Sequence, residues 1–181
     1  MSNLLSGSRA YLAGNLEYTE DNFEHGWRQR IGGELRKLSV TVLDPTDIVF
    51  KGQPIETNEK REELKRLRGE GKFDEVAEYM KEVVRKDLRQ IDVSDFIIVN
   101  WNIDVPTFGT PHELTIALQQ KKPIFLAVGD KLRTPLWFFG TLPHKYIYNN
   151  TEEILEMVKK IDSEEVEIDS DRWRILSEEL K

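Results

Sequence analysis

Glu113 is the residue whose type and position best suit it for chemistry. It lies in the first turn of a helix predicted over about residues 110–120, with Thr110 at the N-cap and Pro111 at the first helical position. One interpretation is a capping box, in which the glutamate bonds back to the cap. The other is a carboxylate that faces a crevice, where the helix dipole favours its ionised form. Such a carboxylate beside the C1 atom of a sugar can trap an oxocarbenium-like centre, as retaining glycosidases do.

Asp87 is a second carboxylate in an unusual position. It falls within an apolar helical stripe formed by Met80, Val84, Leu88 and Ile91. A charge on a buried stripe is costly unless it is paired or used. Asp87 is therefore either a structural aspartate, paired with Arg28 or Arg89, or a carboxylate supplied to a crevice. Two carboxylates and a nearby Tyr11 suffice for sugar chemistry without a metal or a cofactor.

The elements that must position these residues are indicated by alternating apolar and amphipathic segments, the pattern of βαβ units around a parallel sheet. The predicted strands span residues 9–13, 40–43, 96–100, 123–128 and 145–148. The predicted helices include residues 22–38, 110–120 and 151–161. We therefore expect an α/β fold: a doubly wound, flavodoxin- or Rossmann-like sheet of five parallel strands with flanking helices.

A single domain is expected to hold most of the chain, whose 181 residues can bury a core of ordinary size. Residues 1–162 are predicted to form this domain, with a charged helical insertion at about residues 56–84 that is broken near Gly69 and Gly71. Residues 163–181 form an acidic C-terminal extension. Its Trp173 is expected to dock either on the same subunit or on a neighbour.

The loops after the first three strands are the expected ligand site, because open parallel sheets bind ligands where the strand order reverses. These loops contain Gly14 with Asn15, residues 44–52 and residues 101–111. The first helix adds two candidates. Trp27 is either a core residue or one that stacks on a base, and Arg28 is a candidate crevice residue.

Composition excludes several kinds of site. The chain has no cysteines, and its three scattered histidines lack metal-ligand spacing, so we expect no metal site. The formal net charge of −7 argues against broad nucleic-acid binding and favours a small-molecule ligand. No apolar run approaches the roughly 20 residues that span a bilayer, and residues 1–9 lack the features of a signal peptide. We therefore expect a cytoplasmic protein with no membrane partner.

Four segments in this order make the chain resemble the nucleoside 2-deoxyribosyltransferase family and its N-glycohydrolase relatives. They are residues 11–14 (Tyr-Leu-Ala-Gly), Trp27 with Arg28, Asp87 with Ser94 and Asp95 before an apolar strand, and residues 108–117 (Phe-Gly-Thr-Pro-His-Glu-Leu-Thr-Ile-Ala). The last segment looks like the family's G-x-x-x-E-x-x-x-A element. The resemblance covers most of residues 9–161.

The resemblance implies a homo-oligomeric enzyme without cofactors that acts on a nucleoside or nucleotide and a nucleobase. In this family a glutamate attacks the sugar C1 and holds a covalent glycosyl intermediate, and Glu113 matches it. Asp87 matches the aspartate that helps to place the sugar, and Tyr11 matches a tyrosine near the nucleophile. The positions expected to bind substrate are Gly14, Asn15, Trp27, Arg28, Asp104, Thr107 and Gly109.

The segment before Glu113 departs from the transferase pattern. Where the transferases carry an aspartate for the base proton, this chain has Thr107, with Asp104 a little further back. Nucleotide hydrolases of the family have a hydroxyl residue at that place, near the 5′-phosphate. Two activities therefore stay open: transfer of the sugar between bases, and hydrolysis of a deoxynucleoside 5′-monophosphate. A third alternative is a nucleotide-binding module that has lost the chemistry.

Overall fold

The computed structural model describes residues 3–16, 26–47, 54, 57–169, 171–173 and 176. The strands in this part of the chain are β1 (Arg9–Gly14), β2 (Thr41–Leu43), β3 (Phe96–Asn100), β4 (Ile124–Ala127) and β5 (Ile147–Tyr148). They form one parallel sheet in the order β2-β1-β3-β4-β5. The predicted doubly wound α/β sheet of five parallel strands is thereby confirmed.

Helices flank this sheet on both faces. They are α1 (Trp27–Lys37), α2 (Asn58–Gly69), α3 (Phe73–Val93), α4 (Gly109–Gln119), α5 (Leu136–Thr141) and α6 (Thr151–Asp162). Short 3-10 turns at Lys131–Arg133 and His144–Tyr146 precede α5 and β5. Residues 22–25 of the first predicted helix and 48–52 of the loop after β2 lie outside the described residues. No helix in the described part of the chain has the length and apolarity needed to cross a bilayer.

The strand order reverses beside β1. The chain passes from β1 to β2 on one side and returns to β3 on the other side of β1. Tyr11 is paired with Leu43 of β2 and with Ile97 of β3, and Gly14 is paired with Asn100. The carboxyl ends of β1 and β3 therefore meet at Gly14 and Asn100, the place where open parallel sheets bind ligands.

Alternate residues of β1 face opposite sides of the sheet, as strand geometry requires. Ala10 and Leu12 pack in the core that also contains residues of α1 and α6. Tyr11 and Ala13 pack instead with residues of α3 and α4. The side chain of Tyr11 therefore faces the two helices that carry the candidate carboxylates.

The buried face of α3 differs from the predicted stripe. The buried residues of this helix are Val83, Asp87, Gln90 and Ile91. Val84, predicted to lie on the stripe, is 43% exposed. The prediction is wrong there because the helix buries Val83 in place of Val84, and adjacent helical residues point about 100° apart. Asp87 belongs to both the predicted and the observed stripe.

The charged segment after β2 forms two helices that pack against each other, α2 and α3. Gly71 lies between them with φ of +76°, in the left-handed region that glycine adopts most readily. On α2, Lys60 pairs with Glu63 and Lys65 pairs with Glu62, each three residues apart. Such pairs add modestly to helix stability, and they account for the mixed charges of this segment.

The C-terminal extension contacts the core of the same chain through Trp173. The residue is 1% exposed. Its ring centroid lies 5.3 Å from that of Phe96 and 6.0 Å from that of Phe125. Trp173 therefore docks on its own chain, which is the first of the two predicted alternatives.

Candidate active site

The centre of the site is a hydrogen bond between β1 and α4. The Tyr11 hydroxyl donates to Glu113 Oε1 at 2.6 Å, across 102 positions of the sequence. Tyr11 is fully buried and Glu113 is half-buried. An O–H to carboxylate bond of this length is charge-assisted and stronger than a neutral one. The structure thus brings together two of the three predicted catalytic side chains.

The start of α4 differs from the predicted capping box. The helix begins at Gly109, Phe108 is its N-cap residue, and no side chain caps it. Thr110 is already inside the helix and is 2% exposed, so it lacks the non-helical backbone that a capping threonine needs. The capping-box interpretation is therefore wrong, and the observed partner of the Glu113 carboxylate is Tyr11.

The surroundings of Tyr11 hold its pKa well above the ordinary value of 10.0. Burial is the largest cause, followed by the negative charges of Glu113 and Asp87 and by the hydrogen bond to Glu113. The positive charge of Arg28 acts in the opposite direction. Tyr11 therefore stays protonated and serves as a hydrogen-bond donor. These effects also show that both carboxylates and Arg28 lie close enough to act on one phenol.

Asp87 lies on the buried face of α3 and is 9% exposed. Its Oδ1 atom is 3.6 Å from Nζ of Lys86, whose side chain is also 9% exposed. Lys86 Nζ donates to the backbone carbonyls of Pro45 at 2.6 Å and Pro54 at 3.2 Å. This lysine is a charged neighbour that the sequence analysis missed. The available signal was its position three residues after Val83, at the edge of the buried face.

Arg28 and Gly14 build the end of β1 nearest the crevice. Arg28 donates to the carbonyl of Gly14 at 2.9 Å and to that of Leu12 at 3.3 Å. A Cβ on Gly14 would lie 2.5 Å from the Asn100 carbonyl oxygen and 3.1 Å from Arg28 Nη2. Glycine is needed at this position because β3 and the guanidinium approach so closely. Substrate contacts by either residue stay a prediction.

The two tryptophans near the crevice are both packed. Trp27 is 8% exposed and belongs to the core on the α1 side of the sheet. The guanidinium carbon of Arg28 lies 4.7 Å from its ring centroid. Trp101, directly after β3, is half-buried and meets the ring of Phe138 edge-on at 5.3 Å. Of the two alternatives predicted for Trp27, the structure shows the core residue.

Asn15 holds the loop that follows β3, which we define as the crevice loop (residues 101–108). Its Oδ1 accepts from the backbone N–H of Asn102 at 2.9 Å. Its Nδ2 donates to the carbonyls of Asn102 at 3.3 Å and Val105 at 3.2 Å. The side chain is buried and makes these three bonds within the protein. Asn15 therefore holds this loop beside the end of β1, and a direct bond to substrate stays a prediction.

The outer part of the crevice loop is tied to the segment after β4. Arg133 donates to both carboxylate oxygens of Asp104, at 2.8 and 2.5 Å. The two side chains are more than half exposed. Hydrogen bonding to Arg133 lowers the pKa of Asp104 below its ordinary value of 3.8. Of the other predicted substrate positions, Thr107 is half-buried in the same loop and Gly109 is exposed at the start of α4.

Two further charged residues were missed by the sequence analysis. Asp44, at the end of β2, is 5% exposed and accepts from the backbone N–H and the hydroxyl of Thr46 at 2.9 and 2.7 Å. It lies 3.9 Å from Arg28 Nε. Arg133 was missed because it lies in a short turn without periodic pattern. Nothing in the sequence alone brings Arg133 to Asp104 or Asp44 to Arg28.

The side chains of the described residues contain no group of three or more histidines and acids placed to hold a metal ion. The chemistry that the site can perform is that of two carboxylates, a protonated phenol and two buried cations. The sequence matches no protein-family model and no curated protein. Function is therefore inferred from the residues of the site and their geometry.

Proposed function

We propose that this protein is an enzyme of the nucleoside 2-deoxyribosyltransferase type, which cleaves the N-glycosidic bond of a (deoxy)nucleoside through a glycosyl intermediate on Glu113. The observation that carries the proposal is the 2.6 Å bond from buried Tyr11 to Glu113 beside the strand-order reversal. Asp87 lies close enough to act electrostatically on the same phenol. A carboxylate held at a ligand-binding edge, with a second one near it, suits an oxocarbenium-like transition state.

In the first step, a Glu113 oxygen bonds to the sugar C1 while the bond from C1 to the base nitrogen breaks. The electron pair leaves with the base, which takes a proton from water. In the second step, a nitrogen of the acceptor base attacks C1 and loses its proton to water, and Glu113 leaves as a carboxylate. No cofactor enters either step.

Tyr11 and Asp87 support this reaction in different ways. The phenol restricts rotation of the Glu113 carboxyl group by holding Oε1, and it stays a donor because its pKa is raised. The charge of Asp87 favours a positive sugar ring and, as a hydrogen-bond acceptor, suits a sugar hydroxyl. Positioning of this kind lowers the barrier because the groups are already oriented before the reaction.

Hydrolysis of a deoxynucleoside 5′-monophosphate is the second candidate, and one observation favours it. Asp104 is the acid nearest in sequence to the place where transferases handle the base proton, yet both its oxygens accept from Arg133. With its pKa lowered by that pair, Asp104 is a poor proton donor. Water, rather than a base, would then attack C1 of the intermediate and give the free sugar phosphate.

The decisive experiment is a chromatographic assay of purified protein with deoxynucleosides and their 5′-monophosphates, each with and without a second free base. A new nucleoside that forms only with the acceptor base supports the transferase. Free base released from a monophosphate without acceptor supports the hydrolase. If folded protein binds nucleotides in a calorimeter but turns none over, the protein is a binding module and the proposal is wrong.

We also propose that the enzyme forms a homo-oligomer through α5 and the turn before it. Four large apolar side chains of this segment are exposed: Leu132 (96%), Leu136 (88%), Trp137 (81%) and Phe139 (45%). Side chains of this size together present an apolar area on the order of several hundred Å², more than isolated proteins usually leave uncovered. A second copy of the chain covers such a face without any other partner.

Sedimentation velocity tests this part of the proposal. We expect the natural chain to sediment as an oligomer and the double variant Leu136→Ser with Trp137→Ser to sediment as a smaller species. The matched control is Phe73→Ser, because Phe73 is also apolar and 64% exposed but lies at the start of α3. A natural chain that is monomeric at assay concentrations contradicts the interface.

A further inference from the structure

Lys86 is much less exposed than Lys81 and Arg85, two other basic residues of α3. Lys81 and Arg85 pair with glutamates three residues earlier on the surface, Glu78 and Glu82. The side chain of Lys86 is 9% exposed, whereas that of Lys81 is 60% exposed. An ammonium group with little access to water is costly unless its donors are satisfied. The burial of Lys86 must therefore be offset by interactions that the exposed pairs of Lys81 and Arg85 do not require.

The acceptors of Lys86 lie on a different part of the chain. Its Nζ donates to the carbonyls of Pro45 and Pro54, which flank the loop after β2. Asp44, the residue before Pro45, directly follows β2 and lies 3.9 Å from Arg28 Nε. One cation thus joins two separate points of the chain, Pro45 and Pro54, to α3. The ammonium group of a lysine carries three N–H donors on one atom, enough for both carbonyls.

The same cation lies beside a candidate catalytic group. Lys86 Nζ is 3.6 Å from Oδ1 of Asp87, a distance that gives electrostatic attraction rather than a good hydrogen bond. Both side chains are largely buried, so solvent screens this attraction less than it screens the surface pairs. The position of the Asp87 carboxylate is therefore coupled to the loop that Lys86 holds.

We propose that Lys86 is a positioning residue, which orients the Asp87 carboxylate and holds Pro45 and Pro54 against α3. This inference rests on the proposed function in one respect, namely that Asp87 places the sugar. Lys86 itself does not touch the reacting atoms. Its effect on turnover passes through Asp87, and its effect on the loop is independent of any reaction.

The test compares Lys86→Met with Lys81→Met, a matched loss of one lysine charge on the same helix. We expect Lys86→Met to lower kcat on the order of 100-fold, as small misplacements of catalytic groups do, with a much smaller change in KM. Lys81→Met should leave both constants unchanged. A Lys86→Met enzyme with the kcat of Lys81→Met would overturn the proposal.

A double-mutant cycle separates positioning from a general structural role. In an Asp87→Asn background, Lys86→Met should cause little further loss of kcat, because both changes affect one carboxylate. Losses that simply multiply would show that Lys86 acts without Asp87 and would overturn the positioning role.

Amide hydrogen exchange gives a readout that does not depend on activity. Peptides that contain Asp44 and Thr46 should exchange at least 10-fold faster in Lys86→Met than in Lys81→Met, because the loop loses its anchor. Unchanged exchange would overturn the loop-holding role. If the natural chain cleaves no glycosidic bond while this exchange difference appears, the proposed function fails and the loop-holding role stands.

Discussion

The interior of the site and the outer part of the crevice loop both hold carboxylates, but in contrasting environments. Inside, Glu113 accepts from fully buried Tyr11, and Asp87 lies beside largely buried Lys86. At the rim, Asp104 makes a two-bond pair with Arg133 in which both side chains are more than half exposed. Water and salt weaken the rim pair, because both of its side chains are exposed.

Burial separates the two environments, because charges that are removed from water act on one another more strongly than exposed charges do. In the interior, burial first and then the charges of Glu113 and Asp87 raise the pKa of Tyr11 well above 10.0. The rim pair instead fixes the shape of a loop. We therefore expect the interior variants to lose turnover and the rim variants to keep most of it.

The largest effect is expected at Glu113. Glu113→Gln replaces the proposed nucleophile and should lower kcat by several orders of magnitude, because a neutral amide is a far weaker nucleophile toward C1 than a carboxylate. The circular dichroism spectrum should stay that of the natural chain. Glu156→Gln, an exposed residue of α6, is the matched control and should be fully active. If Glu113→Gln keeps near-normal activity, Glu113 is not the nucleophile.

A smaller effect, with a pH signature, is expected at Tyr11. Tyr11→Phe removes a hydrogen bond to a carboxylate, so it should reduce stability at pH 7 by about 1.5–3 kcal/mol and kcat by roughly 10- to 100-fold. Because the folded-state pKa of Tyr11 is raised, the stability it contributes is fully present below pH 10. That contribution is lost as the pH rises from 10.0 toward the folded-state value, so the stability difference between the two proteins should narrow there.

Urea unfolding between pH 7 and pH 11 measures this change. Tyr148→Phe is the control, because burial also raises the pKa of Tyr148 but its hydroxyl has no hydrogen-bond partner among the described residues. We expect this control to flatten the alkaline loss of stability while leaving kcat unchanged. A stability difference for Tyr11→Phe that is constant from pH 7 to pH 11 would contradict the raised pKa.

The smallest effect is expected at the rim. Asp104→Asn should change kcat by a few-fold at most, and its effect on the urea midpoint should shrink as salt is added. Because the folded-state pKa of Asp104 is lowered, the natural pair stabilises the fold above pH 3.8 and this contribution is lost as the pH falls below that value. The charge-exchanged variant, Asp104→Arg with Arg133→Asp, should recover the behaviour of the natural chain.

The outcome at the rim also tests the contrast itself. If Asp104→Asn lowers kcat as far as Glu113→Gln does, Asp104 takes part in the chemistry and the pair with Arg133 is not merely structural. Such a result would favour base transfer, since Asp104 would then handle the base proton.

Several parts of the site were accessible from local pattern. Asp87 was singled out because a charge interrupted an apolar stripe, and it is buried. Glu113 was singled out by its place at the start of a helix, and that helix is present. The short α5 was not predicted, because its apolar side chains are largely exposed and follow no helical stripe.

The five strands of the parallel sheet were predictable from the sequence. Buried strands and amphipathic helices differ in the spacing of their apolar residues, and that spacing is visible within a short segment. Tertiary structure alone decided which side chains meet. Tyr11 and Glu113 are 102 residues apart, and Lys86 reaches carbonyls 41 and 32 residues away. Such contacts depend on strand order and helix rotation, as the exposure of Val84 shows. A capping box and a carboxylate that faces a crevice share one local pattern, and the hydrogen bond from Tyr11 of β1 to Glu113 of α4 is a contact that this pattern does not contain.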